Sequence, residues 1–175
     1  MFELKSVNDI KTMLKVRKLY LDAFPDFERL PFWLLIYKSK KRNSDLYVIY
    51  DDNKFVGLTY LVYYEDIVYL YYLAIDPSQQ SQGYGTKILQ HLKASYPDKR
   101  ILLNIEKVDE SAKNYEQRFN RKRFYYKNGF QNAAFEIETE DIVYEMLYSG
   151  AVVHESEYHS IFKSYLNRVS RHLFL

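Results

Sequence analysis

The chain has 175 residues, no cysteine and a net charge of +2, with 47% apolar and 27% charged residues. Those figures suit one globular domain with a sizeable core, exclude disulfides and thiolate chemistry, fit a cytoplasmic setting, and argue against a nucleic-acid partner. Met1-Phe2-Glu3-Leu4-Lys5 lacks the charged-then-apolar pattern of a signal peptide, and no apolar run nears the ~20 residues of a membrane span, so no membrane association is expected.

The predicted elements run as follows. Asn8 or Asp9 caps a helix whose apolar face is Ile10, Met13, Leu14, Val16, Leu19 and Tyr20. Pro25 and Pro31 then break the chain into a turn and a short helix over 32–38. Lys38, Lys40, Lys41 and Arg42 read as a solvated basic turn. Strands are expected over 46–50, 54–64 and 67–75, joined by tight turns at Asp51-Asp52-Asn53 and Glu65-Asp66. Nineteen tyrosines let such strands bury rings while keeping hydroxyls wet. A glycine loop leads into a helix ending near Tyr96, and the run 101–105 is apolar throughout, as in a strand buried on both faces. A helix over 112–128 and a closing hairpin, 130–137 with 142–148, complete an order αα-βββ-α-β-α-ββ. The fold class is α/β in the broad sense (α+β): a mixed, mostly antiparallel twisted sheet flanked by helices. After Gly150, Tyr158, Ile161, Phe162, Tyr165, Val169 and Leu173 recur at helical spacing. We therefore expect a domain over 1–150 and an extra C-terminal amphipathic helix over 151–175. Packing on the same domain is the favoured role for that helix, and a homodimer contact the alternative.

The most informative segment is Gln80-Ser81-Gln82-Gly83-Tyr84-Gly85, because a strand precedes it and a helix follows. Unpaired N–H groups and the positive end of a helix dipole then converge on one spot, which favours a phosphate-bearing ligand. A Walker A loop needs a Lys-Ser/Thr pair after its last glycine; here Thr86 and Lys87 follow Gly85. A dinucleotide fingerprint needs a third glycine where Ile88 stands, although Glu106 lies at a suitable distance. The third reading is Gln-x-x-Gly-x-Gly. Further on comes Phe124-Tyr125-Tyr126-Lys127-Asn128-Gly129-Phe130, in which a helix closes on Gly129 and an aromatic residue enters the next strand. The two blocks stand about forty residues apart, with a helix and a strand between. Together they resemble the GCN5-related N-acetyltransferase (GNAT) family, as found in a bacterial subgroup, over roughly residues 46–148.

The resemblance implies acetyl-coenzyme A as co-substrate and transfer of its acetyl group to a primary amine of a small molecule or peptide. Transfer would proceed by direct attack, with no covalent enzyme intermediate. It implies that the backbone of Leu73 and Ile75 meets the pantetheine arm. Gln80, Gln82, Gly83, Tyr84, Gly85 and Thr86 would cradle the pyrophosphate, and Asn114 would help to hold the arm. Glu106 is the candidate general base, with Asp109 and Glu110 as neighbours that could take its place. Tyr125 is the candidate proton donor to the departing thiolate, and a register error of one would exchange it for Tyr126. A phenol near ~10 can protonate a thiolate of thiol pKa ~8.5 only in concert with bond breaking, so orienting the sulfur is an equal role for Tyr125. Phe24, Phe27, Glu28, Arg29 and Trp33 are candidate acceptor contacts, with core packing the simpler role for Phe24 and Trp33. The basic residues Arg118, Arg121, Lys122, Arg123 and Lys127 are expected mostly on a solvated face.

No metal site is expected. His154 and His159 are five residues apart, which turns them about 140° from each other on a helix. The alternative to an enzyme is a non-catalytic acyl-coenzyme A sensor or partner-binding module, which keeps the glycine loop and needs neither Glu106 nor Tyr125.

Overall fold

The computed structural model describes residues 1–139 and 142–166. It contains seven strands in one sheet, hydrogen-bonded in the order β1-β2-β3-β4-β5-β7-β6, and five α-helices. The described chain divides into two compact units: residues 1–63 with 70–88, and residues 64–69 with the described chain from 89 onward.

In the first unit, β1 (Phe2–Ser6) pairs antiparallel with β2 (Ser44–Asp51), which pairs antiparallel with β3 (Lys54–Tyr64). β1 is not among the elements expected from the sequence. It is a five-residue strand paired to residues more than forty positions away, and its half-exposed burial leaves no clean alternation to detect. The β2–β3 turn forms as expected, with positive φ at both Asp52 and Asn53, the geometry of a tight hairpin. α1 (Ile10–Ala23) is capped by Asp9, whose carboxylate accepts from the Thr12 N–H at 2.9 Å. Its buried face is Val16, Leu19 and Tyr20, whereas Ile10 and Leu14 are exposed. α2 (Phe32–Ser39) buries Leu34, Leu35 and Lys38, so Lys38 does not belong to the solvated turn. The last part of β4 (Ile67–Ile75) completes the unit, where a Cβ on Gly57 would collide with the Ala74 carbonyl oxygen.

In the second unit the start of β4 pairs parallel with β5 (Arg100–Glu106), and β5 pairs antiparallel with β7 (Val143–Ser149). Ile101, Leu102, Leu103 and Ile105 are all buried, as the unbroken apolar run predicts. β6 (Gln131–Glu138) closes the hairpin with β7 through a bulge at which Ala134 takes a positive φ. α4 (Tyr115–Lys127) ends on Gly129 at φ +76°; the Gly129 N–H donates to the Tyr126 carbonyl and the Phe130 N–H to the Tyr125 carbonyl, the closing bonds of a Schellman motif. α5 (Glu155–Tyr165) buries Ile161 and Tyr165, and the Tyr69 ring of β4 meets Tyr158 and Phe162 edge-on. Val169 and Leu173 of the expected C-terminal helix lie outside the described residues. Arg100 ties this helix down: its guanidinium donates to both carboxylate oxygens of Asp66, to both of Glu157 and to the Val152 carbonyl.

Candidate functional site

β4 ends at Ile75, a 3₁₀ turn covers Pro77–Gln79, and α3 (Tyr84–Ser95) begins where the glycine loop ends. The first backbone bond of α3 runs from the Lys87 N–H to the Gly83 carbonyl at 3.2 Å. The N–H groups of Gln82, Gly83, Tyr84, Gly85 and Thr86 therefore donate to no other group among the described residues. Gly83 sits at φ +79°, a conformation costly for any residue with a Cβ, and a Cβ there would meet nothing within 4 Å. An anion at this loop would meet N–H donors.

Side-chain hydrogen bonds brace the loop. The Asp76 carboxylate accepts from the Ser78 N–H at 3.0 Å and from its hydroxyl at 2.6 Å. The Gln80 amide donates to the Ile75 carbonyl at 3.2 Å, and the Gln82 amide to the Ser78 carbonyl at 3.1 Å. Both glutamines thus brace the loop with their side chains. Tyr84 is buried, donates to Asp51 at 3.2 Å and lies under the Lys87 ammonium, 5.0 Å from the ring centroid. Upstream, the Tyr72 carbonyl accepts from the Thr59 hydroxyl and the Ala74 carbonyl faces Gly57. Alternation along the strand turns the main-chain groups of Leu73 and Ile75 to the opposite edge of β4. β4 pairs with β5 over Ile67–Tyr69.

In the second unit a charged cluster joins the end of β5 to α4. The Glu106 carboxylate is 12% exposed and accepts from Arg118 at 2.8 Å, from Arg121 at 3.2 Å and from the Asn114 amide at 3.0 Å. Arg118 has all its nitrogens engaged: Nε on the Asn114 carbonyl oxygen at 2.8 Å, Nη1 on the Lys107 carbonyl at 3.0 Å, and Nη2 on Glu106. Asn114 makes no cap bond for α4 and is instead the bridge between Glu106 and Arg118. Lys122 pairs with the buried Glu145 of β7 at 2.8 Å. Three of the five basic residues of α4 therefore face strand carboxylates rather than solvent, because β5 and β7 each bring a glutamate under the helix. Asp109 is exposed and turns back on Ser111, accepting from its N–H at 2.9 Å and its hydroxyl at 2.7 Å.

The two tyrosines separate as helical geometry requires. Tyr126 is exposed, with the Lys122 ammonium over its ring. Tyr125 is half-buried, its ring edge-on to Phe124 and Phe130, and its hydroxyl has no hydrogen-bond partner among the described residues. Burial pushes its phenol up to about 12, against the opposing charge of Arg121 one turn before it.

The sequence matches the family model described as an acetyltransferase (GNAT) domain over residues 42–132, more than half of the chain. The chain belongs to the GNAT acetyltransferase family. Its fold is shared with a Bacteroides thetaiotaomicron protein described as a GNAT-family acetyltransferase, at TM-score 0.73 and 21% identity over 97% of this chain and 98% of that one. It is also shared with an aminoglycoside 6'-N-acetyltransferase solved with coenzyme A, at TM-score 0.67 and 13% identity over 89% and 98% of the chains. The ribosomal-protein-S18-alanine N-acetyltransferase of Escherichia coli gives TM-score 0.62 and 17% identity over 86% and 96%. Comparison with curated protein sequences finds no match.

Within this GNAT chain the segment 24–33 departs from expectation. Phe24 packs against Tyr20 and Tyr72, but Trp33 is 58% exposed, because α2 buries Leu34, Leu35 and Lys38 and turns Trp33 and Tyr37 outward. Arg29 donates to the Leu21 carbonyl at 2.7 Å and pairs with Asp26, so it braces the turn. Tyr72, which sequence reasoning passed over, pins the same segment: it donates to the Glu28 carbonyl at 2.7 Å and accepts from the Leu30 N–H at 3.0 Å. Only the contrast between its burial and its neighbours' on a uniformly apolar strand could have marked it, and the sequence does not carry that contrast. Among the described residues no group of three or more His, Asp or Glu side chains could hold a metal, and no helix is long and apolar enough to cross a membrane.

Proposed function

We propose that this GNAT acetyltransferase moves the acetyl group of acetyl-coenzyme A to a primary amine of a small molecule or peptide, by direct attack in a ternary complex in the cytoplasm. The observation that carries the reading is the glycine loop: five N–H donors at the start of α3 that are unengaged among the described residues, with Gly83 at a φ of +79° that favours glycine. Gln82, Gly83, Tyr84, Gly85 and Thr86 would hold the pyrophosphate through the backbone, while the Gln80 and Gln82 side chains keep the loop in shape. Leu73 and Ile75 would meet the pantetheine arm through their backbone groups. In the reaction the amine nitrogen bonds to the acetyl carbon, the C–S bond breaks, and one amine proton must leave. Glu106 is the proposed acceptor of that proton, through water, since Arg118, Arg121 and Asn114 already hold its carboxylate. Asn114 supports the site by fixing Glu106 and Arg118. Tyr125, with its unpartnered hydroxyl, would orient the sulfur.

The relatives solved in this fold are named for acceptors as different as an aminoglycoside and a ribosomal-protein-S18 alanine, so the acceptor is proposed as a class. The test is calorimetric titration with acetyl-coenzyme A, with NAD and ATP as controls, followed by thiol release against a panel of amines. Selective binding with amine-dependent thiol release is the expected result. A preference for NAD or ATP would overturn the cofactor assignment. Binding without thiol release for any amine would favour the sensor reading over the enzyme.

A further inference from the structure

Tyr84 stands between the two glycines of the loop and is the first residue of α3. Its N–H is one of the five donors unengaged among the described residues, whereas its side chain is buried and its hydroxyl donates to Asp51 Oδ2 at 3.2 Å. Asp51 closes β2, and its backbone is flanked on both sides, by Phe2 of β1 and by Lys54 of β3. The turn that follows is tight, with Asp52 and Asn53 both at positive φ. The carboxylate therefore stands on a fixed part of the sheet. Its Oδ2 also lies 3.7 Å from the Lys87 ammonium, which covers the Tyr84 ring, and its Oδ1 faces the Met1 ammonium at 3.8 Å. Burial and the hydrogen bond to Asp51 push the Tyr84 phenol above its ordinary value, so the hydroxyl stays a donor at neutral pH. All of these residues belong to the first unit.

We propose that Asp51 is a positioning residue for the pyrophosphate: through the Tyr84 hydroxyl it fixes the first turn of α3, and with it the direction in which the loop's N–H groups point. The inference rests on the assignment of the loop to acetyl-coenzyme A and adds to it a residue outside the glycine motif. Glycine on either side of Tyr84 leaves the backbone there with little stiffness of its own. Asp76, Gln80 and Gln82 brace the chain before Gly83, and the Tyr84–Asp51 bond is the tie after it. Donors aimed in advance bind an anion better than donors on a turn that must be ordered on binding. On charge alone an aspartate is a poor neighbour for a phosphate, which singles out its hydrogen bond as the useful part, and Lys87 offsets its charge.

The test needs no acceptor and no turnover. The dissociation constant of coenzyme A is measured by calorimetry at a temperature where the melt shows each protein folded. Tyr84→Phe and Asp51→Ala should each weaken binding about fivefold. The double variant should bind no worse than either single one, because both remove the same tie. Asp51→Asn, whose amide oxygen accepts the same hydrogen bond, should stay within about twofold of the wild type. A residue that mattered for stability alone would move the melt and leave these constants unchanged. Wild-type affinity in folded Tyr84→Phe overturns the proposal, as do losses that add in the double variant. An Asp51→Asn protein as weak as Asp51→Ala overturns it too, since charge and not the hydrogen bond would then be at work. Where Asp51→Ala does not fold, Tyr84→Phe, which removes a single oxygen atom, decides alone. A wild type that does not bind coenzyme A instead refutes the assignment of the loop, before any variant is made.

Discussion

Gly83→Ala separates the conformational role of this glycine from its role toward a ligand. The residue sits at φ +79°, where an L side chain costs roughly 1–2 kcal/mol. No protein atom lies within 4 Å of the added methyl, so no clash adds to that cost. For a chain of 175 residues the melting temperature should fall by about 2–8 °C, and the protein should stay folded at 25 °C. Binding should suffer more. Gly83 lies among five N–H groups that are unengaged among the described residues, and each charge-assisted hydrogen bond to a phosphate lost when the loop is displaced is worth roughly 1.5–3 kcal/mol. Affinity for acetyl-coenzyme A should therefore drop about ten- to hundredfold or more, read by calorimetry on protein whose melt shows it folded. A folded Gly83→Ala protein with wild-type affinity would refute the assignment of this loop to the pyrophosphate.

Tyr125→Phe should lower kcat about tenfold with little change in acetyl-coenzyme A affinity, whereas Tyr126→Phe should be silent because its ring is exposed; the reverse pattern in steady-state kinetics would show the roles to be exchanged. Glu106→Gln should lower kcat by ~10²-fold or more if it is the base, and should cost about 1–3 kcal/mol of stability by leaving Arg118 and Arg121 unbalanced; a wild-type pH–rate profile in the variant would remove the base role. Arg100 holds the Asp66 and Glu157 carboxyls below their usual range by direct hydrogen bonding. Depressed carboxyls contribute stability that is present above about pH 5 and drains away as pH falls through their folded values. Arg100→Gln should therefore cost roughly 1 kcal/mol at pH 7, the pairs being partly exposed, and little at pH 2; an equal loss at both pH values, measured by denaturant unfolding, would show that packing rather than pairing is at work.

Much of the fold could be read from local pattern. β3 and β4 match the expected spans, and α3 and β5 come within a residue or two, because long apolar runs bounded by turn residues leave few alternatives. Gly129 closes α4 as predicted, because the requirement for a positive φ is local and nearly exclusive to glycine. β1 was not legible: a short half-exposed segment becomes a strand only when β2 offers it partners. Trp33 reads as core by residue type, yet the face of α2 that is buried is decided by what packs against it. The basic residues of α4 read as solvated because charge runs usually are, and nothing near them in sequence announces Glu106 or Glu145.

The glycine loop and the aromatic helix end were written in the sequence because their chemistry depends on backbone conformation, which a few adjacent residues determine. The partners of Glu106 and the engaged state of Arg118 were decided only by tertiary structure. A long side chain carries no record of its partners in its own neighbourhood. What it can donate or accept depends on which strand the fold places beneath it.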